Sequence, residues 1–160
     1  MNGGWYTSVG QAVDAVKKKI YDVARTALAE AGEDEVDVSM GYIWPAQWFD
    51  AVAVTAVRET PTDGTIGMQR RQHVDIRQDV AITTFRVTAD EGEVHDRAYK
   101  ILDIIDTVIR TDATLDGTVL WCYADDVASD GITAESEAGW GRICALSVTF
   151  TARAMITRPV

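Results

Sequence analysis

Apolar side chains recur along this chain in two rhythms, and the order of the rhythms predicts a fold. Between Asp90 and Arg110, Val94, Ala98, Ile101, Leu102, Ile105, Val108 and Ile109 fall at three- and four-residue steps, the stripe of an amphipathic helix. Asp90 with Glu93, or Thr88 with Glu91, would cap its start. On the wet face Glu93/Arg97, Asp96/Lys100 and Asp106/Arg110 are acid-first pairs four apart, each worth about 0.3–0.5 kcal/mol. A first helix is predicted from Ser8, with Gln11 completing a capping box. Its stripe is Ala12, Val13, Val16, Ile20, Val23, Ala24, Ala27 and Leu28. Asp14 can pair with Lys18, and Gly32 supplies a stop.

The second rhythm has a period of two. Val36–Met40 reads as a short strand and Ala51–Glu59 as a longer one, ended by Pro61, Asp63 and Gly64. In Val74–Thr88, Val74, Ile76, Val80 and Ile82 hold one phase, and Phe85 and Val87 the other. The slip predicts a β-bulge near Thr83–Thr84 or burial of both faces. Fifteen extended residues would reach roughly 50 Å, so the outer half is expected to project beyond the domain body. Asp112–Gly117 reads as a turn with Leu115 pinned inward, and Val119–Asp126 as a strand. Val127–Gly141 reads as an acidic loop. Ile143–Ile156 closes the chain as a strand, with Cys144, Leu146, Val148, Phe150, Ala152, Ala154 and Ile156 on its core face. Residues 1–160 are therefore expected to form a single α+β domain of two layers. Its sheet is mostly antiparallel, with two helices packed on one face and a long projecting hairpin.

Two aromatic groups break both rhythms. Trp5 and Tyr6 follow a glycine-containing lead and are expected to tuck into a groove on this or a neighbouring subunit. Tyr42–Phe49 (YIWPAQWF) places four aromatics around Pro45 without any period. Its rings, Trp44 and Trp48 among them, either plug one end of the core or form an anchor patch for another subunit.

The 160 residues are 47% apolar and 25% charged, with a net charge of −10, an ordinary soluble composition. So acidic a chain is a poor candidate to wrap nucleic acid, because phosphate contacts need clustered Lys and Arg. The acidity suits either simple solubility or the wall of a conduit that DNA passes without sticking. No apolar run is long enough to span a membrane, and the first ten residues lack a secretory profile, so the cytosol is the expected site of synthesis. Cys122 and Cys144 lie in strand-like segments and read as reduced core thiols.

Catalytic chemistry is not legible. His73 adjoins Asp75, and His95 shares a helix with Glu91, Glu93 and Asp96, but neither gathers converging ligands. Asp125, Asp126, Glu135 and Glu137 lack the spacing of a calcium loop. The AGWGR stretch around Gly139 and Gly141 lacks the Lys and Ser/Thr of a phosphate loop. No catalytic residue, metal or cofactor is expected.

The succession of elements is more informative: VDVSMG, AVAVTAVRE, HVDIRQDVAITTFRVT, the helix VHDRAYKILDIIDTVIR, then DATLDGTVLWCYADD and the final strand RICALSVTFTARAMI. Over nearly the whole chain this resembles the tail terminator (tail completion) proteins of long, non-contractile-tailed bacteriophages. The resemblance implies a structural virion protein, made in the host cytoplasm and placed at the head-proximal end of the tail. It implies a homo-hexameric ring on the last ring of tail-tube protein, which ends polymerisation and offers its other surface to the head–tail connector while DNA passes through unbound. Candidate contacts to neighbour or tube are Arg70, Arg71 and His73 on and beside the Thr60–Gln72 arm, with Trp44 and Trp48. Candidate channel-lining residues are Asp125, Asp126, Asp130, Glu135 and Glu137. The rival readings are a head–tail connector or stopper, a tube-like phage protein, or, from a different class, a small cytosolic ligand-binding domain using Trp44 and Trp48.

Overall fold

A computed structural model describes residues 3–42, 50–62, 71–136 and 139–157. Among these, the elements are β1 (Trp5–Tyr6), α1 (Val9–Glu30), β2 (Val36–Met40), β3 (Asp50–Pro61), β4 (Arg71–Arg86), α2 (Glu91–Thr111), β5 (Trp121–Ser136) and β6 (Gly139–Thr157). The sheet runs β2-β3-β4-β6, and the far edge of β6 is shared by β1 and β5. Only β1–β6 and β2–β3 are parallel. Both helices lie on one face, so the expected two-layer α+β architecture is the observed one.

Local chemistry sets the helix ends. Ser8 accepts a hydrogen bond from Gln11 N, while Gln11 Oε1 reaches back to the Thr7 amide and hydroxyl. The box thus closes one residue earlier than its usual form. Gly32 has φ +75°, and Glu33 N donates to Leu28 O, a Schellman ending that needs the left-handed residue at that place. In α2, Asp90 caps Gly92 N at 2.9 Å. Asp112 then folds the chain after the helix. Its carboxylate accepts from the Thr114 amide and hydroxyl and from Asp116 N. These bonds hold Leu115 and Asp116 at φ 50° and 57°, an unfavourable conformation for side-chain-bearing residues. Leu115 is buried there, as its sequence context predicts.

The core lies between the helices and one phase of the strands. Val16, Ile20, Ile101, Ile105 and Ile109 meet Val74, Ile76, Val80 and Ile82 of β4 and Leu146, Val148, Phe150 and Ala152 of β6. Cys122 and Cys144 are buried free thiols on this face, and burial pushes Cys122 up to about 12. Gln78, like Thr84, is a fully buried polar side chain on this face. Its amide donates to Ala56 O and Asp79 O, beside a register shift between Val54 and Val57. The bulge therefore sits in β3, where it turns a carbonyl towards the buried amide.

Three expectations need correction. First, β4 pairs with β6 without a break from Arg71 to Arg86, so there is no bulge at Thr83–Thr84. The phase slip reflects the other alternative, burial on both faces. Thr84 Oγ1 donates to Val94 O under α2, whereas the Phe85 ring lies across Gly141 on the bare face. Second, the first half of β4 does not project, since Val74 and Ile76 are buried under the protein's own helices. The hairpin that overhangs is the tip of β5–β6, which runs past the end of β4 from Ala134 and Gly141 and carries exposed Glu135 and Trp140. Third, Val127–Gly141 is not a loop. β5 continues to Ser136 and pairs with β6 as far as Gly139.

Candidate assembly surfaces

Among the described residues the second face of the sheet carries no helix. Its polar phase is legible in sequence as Asp75-x-Arg77-x-Asp79 on β4 beside Thr149-x-Thr151-x-Arg153 on β6. Side chains directly or diagonally opposite on neighbouring strands are close enough to pair, and long arginines also reach across one strand. Arg153 grips Asp75 at 2.9 and 3.3 Å, Arg58 grips Asp79 at 2.8 and 3.2 Å, and Arg77 meets Asp125 at 3.1 Å. Thr149 and Thr151 donate to Asp79 and Asp125. Exposed pairs of this kind add only about 0–1 kcal/mol each, but together they cover the two threonines, which are buried rather than wet.

At the end of this face nearest the chain termini the lattice gives way to rings. β1 places Trp5 beside Met155, and the Arg71 guanidinium lies 4.7 Å above the Trp5 ring. Arg153 lies 5.0 Å above Trp121, which stacks on Tyr123 at 5.1 Å. Trp5 and Tyr123 are 39% and 48% exposed. Tyr6, on the opposite phase of β1, is buried and donates to Thr118 O. The aromatic pair of the N-terminus thus divides between the subunit's own core and its surface. Trp, Tyr and Arg are the residues that dominate interface hot spots.

The candidate contact residues divide similarly. Arg71 and His73 stand on the bare face near the β3–β4 turn, while Arg70, Trp44 and Trp48 lie outside the described residues. Of the candidate channel residues, Asp125 is the bulged residue of β5 and is held by Arg77 and Thr151. Asp126, Asp130 and Glu135 are exposed along the edge strand, with Asp130 bonding Gly131 N. Glu137 lies outside the described residues. Acidic side chains on a free edge also keep sheets from adding to one another indiscriminately.

One cluster has no counterpart in the sequence reading. Asp50, 4% exposed, accepts from both Arg86 nitrogens at 2.6 and 2.9 Å and from Arg97 Nε at 2.9 Å. Arg97 also binds Glu33, which Lys100 approaches at 3.5 Å. Arg97 and Lys100 therefore do not make their expected pairs with Glu93 and Asp96, because the more buried carboxylates attract them. Asp106–Arg110 and Asp14–Lys18 do form, each at 2.7 Å. The cluster ties the turn after α1, the start of β3, the end of β4 and α2 into one corner.

The electrostatics predict an acid response. Arg97's hydrogen bond lowers the Glu33 pKa, Arg58's lowers that of Asp79, and Thr114's lowers that of Asp112. Each group then binds its proton more readily unfolded, with ordinary values near ~4. Their stabilisation is complete above that value and is lost as pH falls through and below it. Urea midpoints are expected to hold steady between about pH 7 and 5 and fall from about pH 4, with Glu33→Gln flattening the fall.

A shallow hollow of about 280 Å³ lies between α1 and β2, lined by Leu28, Ala29, Glu33, Val36 and Val38, whereas ligand sites usually hold about 300–1,000 Å³. His95 stacks on Tyr99 with centroids 4.6 Å apart. Among the described residues no three His, Cys, Asp or Glu side chains converge as metal ligands, and no helix is long and apolar enough to cross a membrane. No protein-family model matches the chain. No curated protein matches it significantly either.

Proposed function

We propose that this protein is the terminator ring of a long phage tail. Six copies close on the last ring of tube protein, halt its growth, and present their opposite surface to the head connector while DNA threads the opening. The observation that carries this reading is the subunit's polarity. One end of a bare sheet bears Trp5, Arg71, Trp121, Tyr123 and Arg153, and the other end overhangs as an acidic hairpin with Trp140 exposed. A ring built head to tail requires two unlike surfaces on each subunit. The order of elements supports the same family, and Asp126, Asp130 and Glu135 on the free edge of β5 are its candidate channel lining. The ring then works by shape and charge, without making or breaking a bond. Deleting the gene should leave filled heads beside separate, abnormally long tails in electron micrographs of lysates. Intact virions in normal yield would refute the proposal.

A further inference from the structure

The aromatic end of the bare face and the tip of the β5–β6 hairpin are complementary and cannot meet within one molecule. Trp140 and Arg153 sit near opposite ends of β6, which at 3.3 Å per residue places them roughly 43 Å apart. The overhang carries Trp140 at 66% exposure with Glu135 directly across from it, and Ile132, 53% exposed, stands at its root opposite Ile143. Nearby acids are Asp130 on the same strand and Glu91 at the start of α2, whose carboxylate lies against Gly131. Its described cations are engaged: Arg142 bonds Thr133, and Arg86 is held by Asp50. The opposite end offers flat rings and guanidinium groups. Among the described residues Arg71 makes no ion pair and is exposed above Trp5.

We propose that the β5–β6 overhang of one copy seats on the Trp5–Arg71–Trp121–Arg153 surface of a second copy. Trp140 packs against the rings, and Glu135 is placed for Arg71. The contact is heterologous, so each subunit keeps one free overhang and one free seat until the ring closes. A nucleic acid on the same rings is disfavoured, because phosphate contacts need several available cations, whereas Arg153, Arg58 and Arg77 are held by Asp75, Asp79 and Asp125. The overhang is also fixed in direction. A Cβ at Gly141 would stand 2.2 Å from Arg86 O, so β4 and β6 are pressed together where the hairpin leaves the body. The proposal deepens the ring reading and rests on it for the number of copies.

The test is sedimentation equilibrium of the full chain at low and high salt, for the wild type, Arg71→Glu, Glu135→Arg and the double variant. The wild type should self-associate, more weakly in salt. Each single reversal should weaken association by roughly tenfold or more, and the double should regain most of it. Trp140→Ala should weaken association at either salt. A wild type that stays monomeric to about 1 mM, or single reversals that associate like the wild type, would overturn the seat while leaving a ring formed by other surfaces on the tube possible. Loss of oligonucleotide binding in Arg71→Glu, with self-association intact, would also overturn it. Self-association through this seat by a protein that never caps tubes would instead sink the terminator reading alone.

Discussion

Replacing Asp50 by alanine is expected to destabilise the fold by about 3–5 kcal/mol, the usual cost of removing one partner from a buried ion pair. For a chain of this size that is a fall of roughly 10 °C or more in Tm. The reason is asymmetry. Asp50 is nearly inaccessible and accepts from two arginines, so its loss leaves Arg86 facing a cavity without its counter-charge and Arg97 with Glu33 alone. Removing Lys100 from the rim of the same cluster, where its side chain is 65% exposed, should cost no more than about 1 kcal/mol. Thermal melts of Asp50→Ala and Lys100→Ala side by side check both. Equal, small losses would show that the corner formed by Glu33, Asp50, Arg86 and Arg97 does not hold α2 to the sheet.

Gly141→Ala is expected to be the second severe change, costing about 2–4 kcal/mol. The added methyl would meet Arg86 O at 2.2 Å and Phe85 Cε2 at 2.8 Å. The first is main chain and cannot turn away, so β6 must separate from β4 at the root of the overhang. Gly131→Ala makes a revealing contrast. Its methyl would approach even closer, 1.6 Å, but to the carboxylate end of Glu91, which can swing into solvent at the exposed start of α2. Denaturant titrations should therefore find Gly131→Ala within about 1 kcal/mol of the wild type. If it proves as damaging as Gly141→Ala, the Glu91 side chain is held in place by more than its contact with β5.

The contrast between these glycines and the periodic segments shows what the sequence could and could not reveal. Both helices were legible because each buries a full stripe against the sheet, so the apolar residues had to recur at helical spacing. The core face of β6 was equally plain, seven alternating residues from Cys144 to Ile156. The continuation of β5 past Asp126 was hidden for the opposite reason. It is an edge strand that lies beside β6 with its described side chains largely exposed and runs past the end of β4 only from Ala134, so no alternation is required of Val127–Ser136. β1 is two residues long and has no room for a period. Its place is read instead from contacts, Gly4 with Gly117 and Met155, and Tyr6 with Thr118.

The candidate surfaces were partly legible on the same terms. Arg71 stood out as a basic residue in a polar stretch, but its stacking on Trp5 joins β4 to β1 across β6, strands far apart in the chain. The Asp50 cluster links positions 36, 47 and 64 residues apart, and nothing in local spacing marks such a meeting. Asp125 looked like one of several loop acids. The bulge between Ala124 and Asp126 separates it from them and turns it towards Arg77, leaving Asp126, Asp130 and Glu135 as the exposed acids of the edge.

The central claim, that this chain acts as a closed ring on the end of a tube, is tested most directly by adding the purified protein to its tail-tube protein during polymerisation and imaging the products by electron microscopy. The account predicts short tubes, each ended by a single six-subunit ring at one tip. Tubes that lengthen as if the protein were absent, or that incorporate it along their whole length, would contradict it.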